Sequence, residues 1–266
     1  MELALSNSLV RMRHSGLSDP ILALFANGEQ GAYYDPSDSS TVFQDAAMTT
    51  SAGANDPVGA IMDKSGNGNH ATQSMAAARP IRRTDGTHWW LEFDGVDDVL
   101  VTSAIDFTAT AKMSTGLAVR TLASSTGALL EISPVANNNP GAFYVVQNDG
   151  APYTSASHGT GAFGSANVAR FFGDAAINTT NVVTSQHDLG ANLTTIRRNA
   201  VDGTPATNAL GGNFGNYALN FGARNGGAAA ISKALIYRAF VRGALTQSAD
   251  LTAIETELAA AAGIAL

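Results

Sequence analysis

Residues 63–102 read DKSGNGNHATQSMAAARPIRRTDGTHWWLEFDGVDDVLVT, with glycine-rich turns at 65–70 and 94–98. Between these turns, residues 88–93 alternate in character and are followed directly by Asp94-Gly95, which is typical of a strand that ends in a turn. Successive side chains of a strand point to opposite faces, so this strand has one apolar face and one face that is polar at both ends. The apolar face comprises Trp89, Leu91 and Phe93, and the other face comprises His88, Trp90 and Glu92. We therefore predict one strand of a two-sheet sandwich.

The same segment carries a family resemblance. The turn SGNGNHA at 65–71, followed by FDGVDD at 93–98, resembles the laminin-G-like, concanavalin A-like jelly-roll domains found in many bacteriophage structural proteins. The stretch LFANGEQGAYYDPSD at 24–38 is similar to the opening of such phage proteins, and FQD at 43–45 continues it. A weaker similarity lies at 236–240, IYRAF. The resemblance implies a jelly-roll fold in a phage or prophage virion protein.

The chain beyond residue 98 is a succession of short candidate strands separated by turn sequences. This spacing is typical of a sandwich or barrel. Together with the resemblance, it predicts an all-β fold, an antiparallel two-sheet jelly-roll sandwich of the concanavalin A-like kind, at residues 31–245. The candidate strands lie near 99–102, 113–122, 128–132, 142–147, 153–157, 180–186, 192–198, 216–222 and 229–238.

One helix is predicted on each side of the sandwich, in a short N-terminal arm at residues 1–30 and a C-terminal segment at residues 246–266. The first helix has Ser18 as N-cap and Pro20 in its first turn, and it ends before Asn27. Its apolar face packs either on the sandwich or on a neighbouring subunit. The second helix is amphipathic, with apolar residues at helical spacing. These are Leu251, Ile254 and Leu258.

Composition excludes several classes of function. The net charge is −7 and only 14% of the residues are charged, so we expect no basic face for nucleic acid. No apolar run approaches a membrane span, and Met1 is not followed by the pattern of a secretory signal. Cysteine is absent, which excludes disulfides and thiolate metal sites. A surface with so few charges suits assembly, and we expect a homo-oligomer in contact with other virion proteins, assembled in the host cytoplasm.

Oxygen-bearing side chains at the two turns are candidate calcium ligands. Residues 63–68 place oxygen donors at alternate positions before a glycine, like the first half of an EF-hand loop. The glutamate expected at the twelfth position is missing, because Ser74 stands there. The alternative is that these residues only form tight turns. The calcium candidates are Asp63, Asn67, Asp94, Asp97 and Asp98, and no other cofactor is predicted.

Weak binding of host-surface glycans is a further hypothesis. Exposed aromatic rings can stack on sugar faces, and amide side chains can hydrogen-bond to sugar hydroxyls. The candidates are Trp90, Tyr153, Tyr217 and Asn138, with 137–139 forming an asparagine run. Each has an alternative structural explanation: Trp90 can lie under the N-terminal helix, and asparagine runs are ordinary in loops.

The carboxylates of residues 92–97 are the candidates for catalysis. Retaining glycoside hydrolysis needs two carboxylates about 5 Å apart. Glu92 and Asp97 resemble the carboxylate pattern of laminarinase-like hydrolases only in part, because Asp97 replaces a glutamate and Gly95 interrupts the strand. The five histidines lie far apart, without metal-ligand spacing. We therefore predict no catalytic residues.

The sequence, read with its resemblance, predicts a non-enzymatic virion structural protein that decorates or extends a capsid or tail. Two other functions stay open. One is a dedicated carbohydrate-binding module of a tail fibre or spike, and the other is a polysaccharide hydrolase.

Overall fold

The structure is a computed structural model that describes residues 19–135, 140–147, 158–162, 169–171, 176–207 and 211–266. These residues form two antiparallel sheets that pack face to face, with one short helix before the first strand and one helix after the last strand. The predicted all-β, two-sheet fold class with two flanking helices is confirmed.

The first sheet, sheet A, contains the strand at 89–94, in which apolar and polar side chains alternate. Its strands are β1 (Gly31–Tyr34), β5 (Ile81–Thr84), β6 (Trp89–Asp94), β8 (Lys112–Thr121), β13 (Thr180–Asp188), β14 (Leu193–Arg198), β15 (Val201–Asp202), β16 (Ala206–Thr207) and β18 (Lys233–Arg242). The order is β15-β14-β13-β8-β18-β6-β5, while β1 pairs with β18 and β16 with β14. Strand β5 pairs with β6, with Thr84 opposite Trp89.

The second sheet, sheet B, contains several very short strands. Its strands are β2 (Val42–Phe43), β3 (Ala60–Ile61), β4 (Ala71–Thr72), β7 (Leu100–Asp106), β9 (Gly127–Ile132), β10 (Phe143–Gln147), β11 (His158–Ala162), β12 (Ala169–Phe171) and β17 (Asn216–Phe221). The order is β12-β11-β10-β9-β17-β7-β4-β3-β2. Strands distant in sequence therefore become neighbours, since β7 lies between β17 and β4.

The main core lies between the two sheets. Leu91 and Phe93 of β6 are fully buried there, as the alternation predicts. The Phe93 ring meets Phe221 of sheet B edge-on, with 5.4 Å between the ring centroids. Trp89 is half-buried at the end of β6, where the guanidinium of Arg82 lies 4.0 Å from its ring centroid. Burial of each large apolar side chain contributes about 1.5–3 kcal/mol to stability.

A second apolar layer covers the outer face of sheet A. It is formed by helices α1 (Pro20–Ala23) and α2 (Ser248–Ala261). Ile21, Ile254 and Leu258 are fully buried in this layer. The short N-terminal helix thus packs on the sandwich, which was one of its two predicted roles. None of the helices in the described residues is both long and apolar enough to cross a bilayer.

The first helix differs in detail from its prediction. Its N-cap is Asp19, whose Oδ1 accepts a hydrogen bond of 2.9 Å from the backbone N–H of Ile21, so the prediction of Ser18 as the cap is wrong. Asp19 takes this role because it directly precedes Pro20 at the first helical position. The regular helix ends at Ala23, and turns lead from there to Gly28, whose φ is +78°.

Candidate functional site

The outer faces of the two sheets differ in what covers them. Sheet A is covered by α1 and α2, whereas sheet B is covered over β9 and β10 by the loop at 222–232. The carbonyl oxygen of Ala230 in this loop accepts a hydrogen bond of 2.7 Å from the backbone N–H of Ala128, and the Arg224 guanidinium lies 5.8 Å from the Tyr144 ring centroid. Strands β4 and β7, on the same sheet, carry half-buried and exposed residues on this face. Among the described residues, β4 and β7 therefore leave room for a ligand on this side of the sandwich.

A groove with a volume of about 560 Å³ lies on this part of sheet B. Among the described residues that line it, His70 alone has a titratable group or an aromatic ring. Hydroxyls, one amide and backbone groups provide its polar character. The lining residues are Gly68, His70, Thr72, Gln73, Ser74, Val101, Thr102, Ser103 and Gly226.

Strand geometry explains why these residues meet. Thr72 of β4 pairs with Val101 of β7, so the two strands place their outward side chains side by side. His70 and Thr72 are two residues apart and share a face, as do Val101 and Ser103. Successive side chains on one face of a strand are about 7 Å apart, which is close to the spacing needed to contact one small ligand together.

The turn at 65–70 forms one end of the groove and is held from below by Asp63. The backbone N–H groups of Tyr33 and Ser65 donate to Oδ1 of Asp63 at 2.9 and 2.8 Å. The Ser65 hydroxyl and the N–H of Asn69 donate to Oδ2 at 2.8 and 3.0 Å. The backbone N–H of Asp63 itself donates to Nδ1 of His70 at 3.0 Å. These bonds fix the position of the His70 ring.

The opposite wall of the groove is the loop around Gly226, anchored by two side chains of sheet B. Glu131 is fully buried and accepts from Nε of Arg224 at 2.5 Å and from the N–H of Asn225 at 3.2 Å. Oδ1 of Asn220 accepts from the N–H of Gly226 at 2.7 Å. Burial raises the pKa of Glu131, and the hydrogen bond from Arg224 opposes that rise. Glu131 and Asn220 therefore hold this wall in place, although neither residue lines the groove.

Two of the calcium candidates, Asp63 and Asn67, make hydrogen bonds within the turn and to the chain beside it. Both oxygens of Asp63 accept hydrogen bonds from turn donors, as described above. The amide of Asn67 donates to the carbonyl oxygens of Glu29 and Gly31 at 3.0 and 3.1 Å. The carboxylate of Asp63 and the amide NH₂ of Asn67 therefore hold the turn in place, and calcium binding by these two residues stays a prediction.

The other three calcium candidates form a carboxylate cluster, defined as Asp94, Asp97 and Asp98. One carboxylate oxygen from each lies within 4.8 Å of the others, so the cluster has the donors for a hard cation. Oδ2 of Asp98 also accepts from the N–H of Asp94 at 2.8 Å. Burial and, to a smaller extent, the neighbouring carboxylates raise the pKa of Asp98 to about 6. Calcium binding by this cluster stays a prediction.

The carboxylate cluster adjoins the groove. A Cβ atom on Gly227, the neighbour of the groove residue Gly226, would lie 3.6 Å from the carbonyl oxygen of Asp97. Nε2 of Gln73, another groove residue, donates to the carbonyl oxygen of Val99 at 3.1 Å. The backbone of the turn that carries the carboxylate cluster therefore lies beside one end of the groove.

The aromatic glycan candidates do not line this groove. Trp90 is half-buried on the outer face of sheet A, where its ring packs on Tyr237 at 5.4 Å between centroids and against the helical layer. Tyr217 packs against the main core, and its hydroxyl donates to the carbonyl oxygen of Pro140 at 3.2 Å. Tyr153 and Asn138 lie outside the described residues.

The suspected carboxylate pair at 92–97 is also separated. Glu92 lies on the same strand face as Trp90 and pairs with Nε of Arg83 at 2.7 Å. It does not belong to the carboxylate cluster that contains Asp97. The residues that sequence reasoning missed are His70, Thr72 and Ser103. The alternation of polar residues at 70 and 72 was the available signal, but a two-residue strand is too short to show a period.

Comparison with known proteins gives a consistent picture of the fold. No family model and no curated protein matches the chain. A GH54 α-L-arabinofuranosidase mutant soaked with 4-nitrophenyl α-L-arabinofuranoside matches 91% of this chain with a TM-score of 0.62 at 14% identity, over 65% of its own length. An arabinofuranosidase complexed with arabinofuranosyl-α-1,2-xylobiose matches 78% of this chain with a TM-score of 0.57 at 13% identity. The chain spans about half of that enzyme, 52%.

A third match is to a single domain. Domain 4 of AbnA, a GH43 extracellular arabinanase from Geobacillus stearothermophilus, in complex with arabinotriose, is covered over its whole length. The match takes in 85% of this chain, with a TM-score of 0.55 at 11% identity. At these identities the likeness shows the fold, a β-sandwich of the kind found in glycoside hydrolases.

This finding corrects two predictions. The predictions of a virion structural protein and of a chain that is not an enzyme are wrong, because the similar structures are glycoside hydrolases and a domain of one. The comparisons support the β-sandwich and a link to carbohydrates, and they give no support to a phage setting. Homo-oligomerisation was not tested and stays a prediction.

Proposed function

We propose that this chain is a carbohydrate-recognition β-sandwich of a carbohydrate-active protein, and that the groove on sheet B binds a neutral oligosaccharide. The observation that carries the proposal is the character of the groove, which offers hydroxyl, amide and imidazole groups without a formal charge. Sugars present neutral hydroxyls that both donate and accept, so such a lining can satisfy them. The resemblance of residues 24–102 to phage domains plays no part in this proposal.

Two further features support a neutral ligand. The carboxylate cluster beside the groove disfavours anionic sugars, since like charges at close range repel. A similar fold binds arabinotriose in domain 4 of AbnA, which makes arabinose oligosaccharides a reasonable first choice of ligand. We expect hydrogen bonds rather than ring stacking to provide the binding energy, because the groove lining has no phenyl, phenol or indole ring.

The proposal is tested by calorimetric or NMR titration with arabinotriose, xylo-oligosaccharides and other neutral oligosaccharides, alongside sialylated and uronic acid-containing ones. Ser103→Leu should fill the groove and weaken binding at least tenfold. Thr252→Leu, on the exposed side of α2, is the matched control and should bind like the wild type. Absence of binding to every neutral oligosaccharide, or equal binding by the Ser103→Leu variant, would contradict the proposal.

Hydrolysis at the carboxylate cluster is a second candidate function. Retaining glycosidases hold two carboxyl groups about 5 Å apart, one with a raised pKa as the acid. Asp98, with its pKa raised to about 6, lies within this distance of Asp94 and Asp97. Release of reducing sugar from arabinan, abolished by Asp97→Asn and retained in the Ser40→Asn control, would establish it. Equal release by the wild type and Asp97→Asn would exclude it.

A further inference from the structure

The ring of His70 has a defined hydrogen-bonding state. Its Nδ1 receives the backbone N–H of Asp63 at 3.0 Å. A backbone amide can only donate, so Nδ1 must be the acceptor and cannot carry a proton. The neutral imidazole then carries its proton on Nε2. In the part of the chain that the structure describes, Nε2 has no hydrogen-bond partner, and the ring lines the groove.

We infer that His70 is a specificity-determining residue of the groove, in which Nε2–H donates a hydrogen bond to a hydroxyl oxygen of the bound sugar. This inference rests on the proposed function and names the chemistry of recognition. The turn at 65–70 fixes the ring through Asp63, so the donor is held in place before the ligand arrives. Preorganised donors lose less entropy on binding than mobile ones.

The neighbouring side chains define what the ligand must offer. The Thr72 hydroxyl makes a long hydrogen bond of 3.5 Å to the carbonyl oxygen of Val101, which leaves its oxygen lone pairs to accept. Ser103 lies on β7 two residues beyond Val101, the partner of Thr72, and its exposed hydroxyl can donate or accept. A sugar with two neighbouring hydroxyls matches this set, because one hydroxyl accepts from His70 while the next donates to Thr72. The ligand class is therefore a neutral glycan with a free vicinal diol.

Two substitutions separate the two nitrogens of the ring. His70→Asn places an amide oxygen near the position of Nδ1, so it can still accept from Asp63, but it has no donor at the position of Nε2. His70→Gln places an amide NH₂ near the position of Nε2 and loses the acceptor for Asp63. The first variant keeps the turn contact and the second keeps the groove donor.

The affinity for the glycan should therefore fall in His70→Asn, and the stability of the fold should fall in His70→Gln. With arabinotriose, or with whichever neutral oligosaccharide of the panel binds the wild type most tightly, His70→Asn should lose about three- to tenfold in affinity, the effect of one hydrogen bond. His70→Gln should stay within about twofold of the wild type. The melting temperature should fall in His70→Gln and stay near the wild-type value in His70→Asn. A merely structural role would make affinity follow the melting temperature.

The outcomes separate the role of His70 in recognition from glycan binding by the groove. If the wild type binds and His70→Asn binds equally well, the inference is overturned while glycan binding stands. If both variants lose affinity in proportion to their stability, His70 only supports the fold and the inference is again overturned. If no oligosaccharide binds the wild type, the proposed function fails and the ligand role of His70 fails with it.

An independent measurement needs no ligand. Long-range ¹H–¹⁵N NMR spectra of the wild type at pH 8 distinguish a protonated Nε2 from a protonated Nδ1. The structure requires the Nε2–H tautomer of His70. Observation of the Nδ1–H tautomer would overturn the inference whatever the glycan titrations show.

Discussion

Acidification should destabilise this protein well above the pH at which its carboxylates titrate. His158 of β11 and His187 of β13 are fully buried between the sheets. The ring of His187 contacts the hydroxyls of Thr160 and Thr194 at 3.0 and 3.2 Å, and that of His158 contacts Thr121 at 3.4 Å. Burial lowers the pKa of each histidine to about 3, and for His158 the nearby charge of Arg198 adds to the effect.

The sign of the effect follows from proton linkage. An unfolded histidine has a pKa of about 6.5, so between about pH 6.5 and pH 3 the unfolded chain binds protons that the folded chain does not. The stabilising contribution is complete above about pH 6.5 and is lost as the pH falls. Each histidine costs about 1.4 kcal/mol per pH unit, which gives about 2 kcal/mol each at pH 5.

Two carboxylates whose pKa values are raised by burial, Asp98 and Glu131, oppose this loss. The pKa of Asp98 is raised to about 6, so folding favours its protonated form below that pH. At pH 5 Asp98 returns about 1.4 kcal/mol, and the two histidines and Asp98 together give a net loss from pH 8 to pH 5 of about 3 kcal/mol. That is a large part of the 5–15 kcal/mol typical of a folded domain.

Urea denaturation at pH 8, 7, 6 and 5 measures this change in the free energy of unfolding. His187→Gln should reduce the slope with pH by about half, even if it lowers stability at every pH. Asp98→Asn should steepen the slope below pH 6 and raise stability at pH 8. A free energy of unfolding that is constant from pH 7 to pH 5, or a slope that His187→Gln leaves unchanged, would refute the assignment of neutral histidines to the core.

Two further predictions concern the supports of the groove and of the opposite sheet. Arg224→Met leaves the buried carboxylate of Glu131 without its guanidinium, and it should lower the free energy of unfolding by about 3 kcal/mol in urea denaturation at pH 8. A smaller loss at pH 5 than at pH 8 is also expected, and a loss that does not depend on pH would argue against a charged pair. Leu258→Ala removes a fully buried side chain that lies over Gly116, and it should cost about 2–5 kcal/mol without changing glycan affinity. Thr252→Ala on the exposed side of the same helix should change neither, and a glycan affinity that falls with Leu258→Ala would show that the two faces are coupled.

The sequence predicted the elements whose periodicity is long enough to read. The alternation at 88–93 placed Leu91 and Phe93 in the core, and the C-terminal spacing identified Ile254 and Leu258 as the buried side of a helix. The site was not predictable in the same way. Thr72 belongs to a strand of two residues that His70 directly precedes, and only the pairing of Thr72 with Val101 brings β7 beside them. Neither local propensity nor composition encodes a pairing between residues so far apart.

The roles of aspartate and asparagine side chains were also not predictable from the sequence. A calcium site and a tight turn both call for oxygen-bearing side chains near glycine, so sequence could not separate the two roles of Asp63. The structure shows the turn-holding role through the hydrogen bond from the N–H of Tyr33, a residue thirty positions away in the chain, and the calcium role stays a prediction. Trp90 is a similar case, since an exposed platform and a ring packed under a helix give the same pattern at 88–93.

The turn at 65–70 explains why a correct fold prediction led to a wrong function. The fold requires these residues, because Asp63 accepts a hydrogen bond from Tyr33 of β1 and Asn67 donates one to Gly31 of β1. One residue of the same turn, His70, also faces the groove. A turn motif that the fold requires can therefore occur in proteins with different activities. The ligand is determined by the few side chains that the motif orients. The resemblance of this turn identifies the sandwich, and the ligand must be sought in the groove chemistry of His70, Thr72 and Ser103.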